Sequence, residues 1–311
     1  MNADTFAEWM RRQGHRVYRT ASSYWYDAGP RVLQAFPYHW IITPDEKEVR
    51  SLMIKHGIMA VRYSTPLDAP EGKVSYHVVL QQPYELDALK SQTRNGVKRG
   101  LAHFHIEQIS FERLASEGWP LQYDTLVRQD RVRSMKQEEW ERLCRSANGL
   151  PGFEAWAAVA GGALAGALIV CRIDDIFNVP YAMSRTCQLS SHVNNVLFYS
   201  VSCEILQRPD VSSIFYTVQS LDAPANVDEF KFRMGFKSKA VRQRVDFHPL
   251  IGPFATSALH TRVYKLLQRD PSNPFLAKTE GMLRFHVEGK YPLARQRWPE
   301  CLTDQKEVFV H

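Results

Sequence analysis

The 311-residue chain reads as an α+β protein with a mixed, largely antiparallel sheet flanked by helices. Three observations predict this. Within 154–183, three strand-like runs follow one another, joined by Gly161-Gly162 and Asp174-Asp175, which suit tight hairpin turns. A polar loop, an amphipathic helix over 193–207 and a short strand over 214–218 come next. Earlier in the chain, helices with recognisable start and stop signals alternate with apolar runs of strand length.

Composition sets the outer limits. With 44% hydrophobic, 23% charged and 12% aromatic residues, the chain can bury one large core or two fused ones. No apolar run reaches the roughly 20 residues a membrane helix needs. The polar N-terminus, with Asp4, Glu8, Arg11 and Arg12, has no signal-peptide core. Five scattered cysteines without a Cys-x-x-Cys pair read as reduced packing thiols, which predicts a cytoplasmic protein. No His/Cys spacing suits a metal ligand set. A net charge of +6 and a pI near 9.0 suit anionic partners: nucleotide or CoA phosphates, RNA, or an anionic membrane surface.

In order, residues 4–13 form a short helix with Asp4 or Thr5 as cap and Phe6, Trp9 and Met10 on one face. Residues 17–42 are crowded with Tyr18, Tyr24, Trp25, Tyr26, Tyr38 and Trp40. They serve as strand core or as the wall of an acceptor pocket. Thr43-Pro44-Asp45-Glu46 opens a helix that Gly57 ends. Strands follow at 58–64 and 74–80 across a Pro/Gly-rich loop.

Residues 84–101 read as a basic helix, with Lys90, Arg94 and Lys98 four apart on one face and Leu86, Leu89, Val97 and Leu101 as apolar contacts. That face is either solvated or anion-binding. A strand at 104–109 and two helices broken at Gly118-Trp119-Pro120 lead to a helix at 138–146 that buries Trp140, Leu143 and Cys144. After the meander and the 193–207 helix, Val227, Phe230, Met234 and Phe236 recur at helical spacing, and Gly235 ends that helix. A basic strand at 237–245 follows, then helices at 253–267 and 275–287.

Phe230-Lys231 followed by Met234-Gly235-Phe236 resembles the FK…GF signature of FemAB-like acyltransferases. These are bacterial members of the wider GNAT (acetyltransferase-like) superfamily, associated with cell-wall or exopolysaccharide precursors. The resemblance covers roughly residues 85–247, and the element order from 152 onward is that of a GNAT core. It implies a tandem: a partial N-terminal GNAT-like domain at 1–110, a complete one at 111–247, and a C-terminal helical extension at 248–311. The superfamily's pyrophosphate loop has the pattern Arg/Gln-x-x-Gly-x-Gly/Ala. Here Gln188-Leu189-Ser190-Ser191-His192-Val193 has no glycine, a departure shared by FemAB-like proteins.

The resemblance implies an N-acyltransferase. An acyl group would pass from acyl-CoA or aminoacyl-tRNA, as co-substrate and not a permanently bound cofactor, to the amine of an amino sugar or cell-surface precursor. The partners implied are an anionic or nucleotide-linked substrate and, where it carries the donor, tRNA. The resemblance puts Lys231 at the active centre, where alanine is expected to cut turnover and leave folding intact. His192, whose side-chain type can exchange a proton near neutral pH, and Asp222 or Glu229 are candidate bases. Asp228 and Arg233 read as surface or capping residues.

Ser190, Ser191, His192, Val193 and Asn194 stand at a helix N-terminus that suits a donor phosphate, with Phe230 beside Lys231. Tyr181 and Tyr216 flank the expected cleft, and Arg185, Arg128 and Arg131 are candidate substrate contacts. Bland readings stand beside these: a solvated lysine, a structural histidine, packed tyrosines. The basic surface and glycine-free loop also admit a non-catalytic binding or scaffold protein, one that binds nucleic acid.

Overall fold

The computed structural model describes residues 2–131, 134–221 and 228–309. In chain order it begins with α1 (Ala3–Arg12), β1 (Val17–Arg19), β2 (Tyr24–Gly29), β3 (Val32–Phe36), α2 (Glu46–His56), β4 (Ala60–Thr65) and β5 (Lys73–Gln81). It continues with α3 (Ser91–His103), β6 (His105–Ile109), α4 (Phe111–Glu117), α5 (Trp119–Arg128) and α6 (Gln137–Ser146). The meander β7 (Phe153–Ala160), β8 (Ala163–Ile173) and β9 (Ile176–Ser184) leads to α7 (Val193–Leu206), β10 (Ser213–Val218), α8 (Glu229–Arg233) and β11 (Lys237–Phe247). Helices α9 (Ser257–Arg269), α10 (Pro274–Glu288) and α11 (Thr303–Phe309) close the chain. The class is the α+β one expected.

The chain forms two units interleaved in sequence. Unit 1 comprises Met1–Gly14, Val79–Thr217 and Asp228–Lys237; unit 2 comprises His15–Val78, Val218–Val227 and Ser238–His311. Each contains the same sub-order: three successive antiparallel strands, a helix, and a strand parallel to the third. In unit 1 these are β7–β8–β9, α7 and β10; in unit 2 they are β1–β2–β3, α2 and β4. That repeat is the tandem GNAT-like architecture.

Unit 1 has the strand order β10-β9-β8-β7-β6. The hairpin turns fall where Gly161 (φ +57), Gly162 (φ +82) and Asp174 (φ +56) take left-handed conformations. Trp9 of α1 packs against Phe153 at 5.0 Å and is 2% exposed. Gly118 ends α4 as expected; a Cβ there would lie 2.4 Å from the Leu114 carbonyl oxygen. Helix α7 buries residues around most of its circumference, Ser202 among them, while Ser200 is partly exposed. The sheet covers one side of α7 and α3 the other. Gly166 of β8 meets Val193, and Gly100 of α3 meets Val196.

Helix α3 starts at Ser91, later than the charge spacing predicts, because residues 86–88 form a separate short turn and the buried Leu89 is extended. Its buried face is Thr93, Gly96, Val97 and Gly100, and Leu101 is half exposed. Small residues line that face because α7 approaches too closely for leucines. Two caps also differ from expectation. Asn2, not Asp4 or Thr5, caps α1 by accepting from the Asp4 N–H at 3.1 Å. Asp45, not Thr43, caps α2 by accepting from the Lys47 N–H at 2.7 Å. A carboxylate there also meets the positive end of the helix dipole.

Unit 2 has the strand order β1-β2-β3-β4-β11-β5. Its aromatic segment is core: Trp25, Leu33, Val61 and Tyr63 are buried together, with Tyr18 and Trp40 packed on them. The residues after 247 are part of the same body. Met282 and Phe285 of α10 share a cluster with Ala60, Val245 and Leu221. A polar stripe runs through unit 2, where buried His77 and Ser64 lie 2.8 Å apart and Gln243 donates to Ser75 at 2.6 Å.

Candidate active site

The site follows from how β9 and β10 part. Their parallel register runs from Ser213↔Ile176 to Phe215↔Asn178, but β9 continues to Ser184 and β10 to Val218. On its other side β9 carries an extra residue, since Cys171 pairs with Asn178 and Ile169 with Tyr181. The bulge contains Pro180, which has no N–H to give to a ladder. The result is a wedge at the C-terminal ends of two parallel strands.

Tyr216, the first β10 residue past that register, forms one wall. Its ring stands 5.4 Å from Phe198 of α7 and 5.8 Å from Phe236. Phe198 in turn meets Phe230 of α8 edge-on at 5.4 Å. Against this cluster lies Lys231, whose ammonium is 4.5 Å from the Tyr216 ring centroid, a cation–π contact. Lys231 donates to Asp228, three residues earlier. Their side chains are 13% and 1% exposed. Burial, and then the Asp228 charge, push the Tyr216 hydroxyl pKa upward, so the phenol stays protonated at neutral pH.

Local sequence dictates the placement of α8. Gly235 takes φ +91, which ends the helix as expected. The Tyr84 hydroxyl donates to the Met234 carbonyl at 2.9 Å and its ring packs where a Gly235 side chain would stand. Asn195 of α7 approaches the Met234 sulfur at 3.6 Å.

The loop from β9 to α7 supplies the second part. Arg128 of α5 donates to the Ser184 carbonyl at 2.9 Å and to the Thr186 hydroxyl at 2.8 Å. Asp124, one turn earlier, accepts from the Thr186 N–H at 3.0 Å and pairs with Arg185 at 3.1 Å. Burial lowers the Arg128 pKa, and Asp124 opposes the shift. At the loop's end His192 takes φ +62, a left-handed conformation rarely adopted by non-glycine residues. No side chain caps α7, so the N–H groups of its first turn are open to an anion. A Cβ on Gly96 would lie 3.1 Å from the His192 Nδ1, so the imidazole packs against α3.

The expected residues therefore divide. Lys231, Phe230 and Tyr216 come together. Ser190, Ser191, His192, Val193 and Asn194 form the loop and helix start, with Ser190 exposed and Val193 buried. Tyr181 packs edge-on against Trp9 at 6.2 Å, while Tyr216 packs under α7. Arg128 is engaged within the protein, Arg185 is paired, and Arg131 is exposed at the end of α5. Glu229 is exposed, and Asp222 lies outside the described residues.

Asp228 is corrected. Read as a surface or capping residue, it does stand at the N-cap position of α8, but its side chain makes no cap bond and is buried as the counter-ion of Lys231, because the ammonium packs inward on Tyr216. Alanine at Lys231 would thus deprive a buried carboxylate of its opposite charge as well as remove the ammonium. Phe198, Asn195 and Tyr84 were not singled out from sequence. The spacing of Asp228 and Lys231, three apart on a helix, was the one signal available for the pair.

No protein-family model matches the chain, and no curated protein matches it by sequence. Solved structures do. FemX aligns over 79% of this chain and 92% of its own at 8% identity, with a TM-score of 0.55. The C-terminal domain of an Agrobacterium fabrum protein described as a lysylphosphatidylglycerol synthetase aligns over 78% and 87% at 10% identity, TM-score 0.52. L-PGS from Bacillus licheniformis aligns over 77% and 86% at 10% identity, TM-score 0.51. The likeness is one of fold, and the fold is the FemAB-like, GNAT-type one. Among the described residues no helix is long and apolar enough to cross a membrane.

Proposed function

We propose that unit 1 is an N-acyltransferase. It moves an acyl or aminoacyl group from a CoA thioester or aminoacyl-tRNA to the amine of an amino sugar or other cell-surface precursor. The observation that carries this reading is the Lys231–Asp228–Tyr216 cluster beside the parting strands β9 and β10, in a chain with the fold of FemX. In the reaction the amine nitrogen attacks the donor carbonyl carbon. The tetrahedral adduct then collapses, the C–S or C–O bond breaks, and the proton lost by nitrogen ends on the leaving sulfur or oxygen.

Such a reaction needs positioning and charge stabilisation more than covalent help from the protein. Backbone N–H donors are the kind of group that suits the developing oxyanion. Lys231, anchored by Asp228 and packed on the Tyr216 ring, places a compact positive charge where little water competes. The uncapped start of α7, residues 190–194, receives the donor's phosphate. Arg128 acts as a positioning residue for that loop, while Arg131 and Arg185 are within the chain's basic complement for an anionic acceptor. The donor is a co-substrate, and the work is done in the cytoplasm.

A thermal-shift screen with acetyl-CoA, longer acyl-CoAs, charged tRNA and UDP-linked sugars tests the reading, since a ligand that binds only the folded state raises the midpoint. A shift with a CoA ester identifies that donor class. A shift only with charged tRNA or a UDP-sugar favours the aminoacyl route. Silence across the panel, with wild-type behaviour of Lys231→Arg, removes the assignment and favours a binding module, the reading to which the glycine-free loop lends weight.

A further inference from the structure

We infer that unit 2 carries a phosphate-binding site in the cleft between α9, α10 and the segment that follows. The cleft has a volume of about 390 Å³ and is lined by Ser257, His260 and Thr261 of α9 and by Tyr291, Arg295 and Arg297. That space matches a small phosphoester or a phosphate headgroup.

The charges in the cleft do not cancel. Its lining carboxylate, Glu288, takes the Lys73 ammonium. Nearby Glu280 takes His260 at 2.9 Å and Arg284 at 3.1 Å. Among the described residues, the side chains of Arg295 and Arg297 have no hydrogen-bond or ion-pair partner. Two guanidinium groups are thus left over where the anions are already matched.

The segment bearing them is held rigidly. Gln296, between the two arginines and 3% exposed, accepts from the Val74 N–H at 2.7 Å. It donates to the Gly72 carbonyl at 3.1 Å and to the Tyr291 carbonyl at 2.8 Å. The Trp298 indole donates to the Leu293 carbonyl at 3.2 Å. A fixed backbone lowers the ordering cost of binding. Guanidinium forks match phosphate oxygens two at a time, and the Ser257 and Tyr291 hydroxyls add neutral donors. A phosphate has enough acceptor edges to engage both arginines and a hydroxyl together, which a carboxylate lacks.

A soluble phosphoester and an anionic lipid headgroup share this chemistry, and two arms of one experiment separate them. The full chain is titrated calorimetrically with glycerol 3-phosphate, and is sedimented with phosphatidylcholine vesicles with and without phosphatidylglycerol. The variants are Arg295→Gln/Arg297→Gln and, as an equal charge loss on exposed α9 positions outside the cleft, Arg262→Gln/Lys265→Gln. Soluble binding weakened tenfold or more in the first variant and within twofold in the second supports a free phosphoester. Vesicle binding that needs phosphatidylglycerol and is lost only in the first variant supports a headgroup. Binding in neither arm, or equal losses in both variants, overturns the site.

Discussion

Lys231 and Asp228 form a buried ion pair across less than one helical turn, with the lysine ammonium 4.5 Å from the centre of the Tyr216 ring. The pair links the one residue that sequence resemblance singles out most strongly to a partner that sequence alone reads as a surface or capping residue. Its burial separates the effects of removing the charge, moving it and neutralising both ends.

Removing one end leaves the other buried without its opposite charge. Lys231→Met or Asp228→Asn alone should cost about 3–5 kcal/mol of stability, as for other broken buried pairs. The double variant should cost less than the sum. Chemical unfolding of the four proteins in a double-mutant cycle checks this, and additive losses would mean the two groups do not interact.

Keeping the charge but changing its shape should spare the fold and affect the chemistry. Lys231→Arg should retain most of the stability and lower turnover by about 10²-fold, the scale of losing one well-placed charge donor. Turnover equal to wild type, once a substrate is in hand, would detach Lys231 from the reaction.

Gly100 sets the distance between α3 and α7. A Cβ there would lie 2.7 Å from the Val196 Cβ and 3.1 Å from the His192 carbonyl oxygen. Overpacking of about 1–3 kcal/mol should outweigh the gain of about 1 kcal/mol that alanine brings to a helix interior. Gly100→Ala should therefore melt earlier than wild type, and the exposed neighbour Arg99→Ala should not. A Gly100→Ala protein as stable as wild type would mean the two helices separate freely.

His77 gives unit 2 a pH dependence. Burial first, and then the positive charges of His39, Lys239 and Arg62, hold its pKa at about 3. The unfolded chain takes up this proton near pH 6.5, so between about 6.5 and 3 the unfolded state binds more protons. His77 thus costs nothing above pH 6.5, and stability falls as pH drops through that window, by at most about 1.4 kcal/mol per unit. His77→Gln should flatten the stability curve between pH 6 and 4. An unchanged slope would mean the imidazole is protonated in the folded state.

Residues 248–311 should behave as part of a core and not as an appendage. Phe285 is fully buried and shares a cluster with Val245 and Ala60. Phe285→Ala should cost about 3–5 kcal/mol. A loss below about 1 kcal/mol in denaturant unfolding would return this segment to the periphery.

Sequence by itself determined the elements whose signals are local. The meander with its Gly161-Gly162 and Asp174-Asp175 turns, the break at Gly118, the stops at Gly57 and Gly235, and the inward Trp140, Leu143 and Cys144 all follow from backbone preferences and short-range periodicity. The order of those elements, with the Phe230–Phe236 signature, was enough to read the fold. Tertiary structure alone decided which groups meet. Asp228 is buried because Lys231 folds inward onto a strand residue fifteen positions earlier. The small face of α3 exists because α7 crosses it closely, and Arg128 clamps a loop more than fifty residues away. Charge spacing along a chain cannot tell a solvated face from a packed one, because burial is set by neighbours distant in sequence.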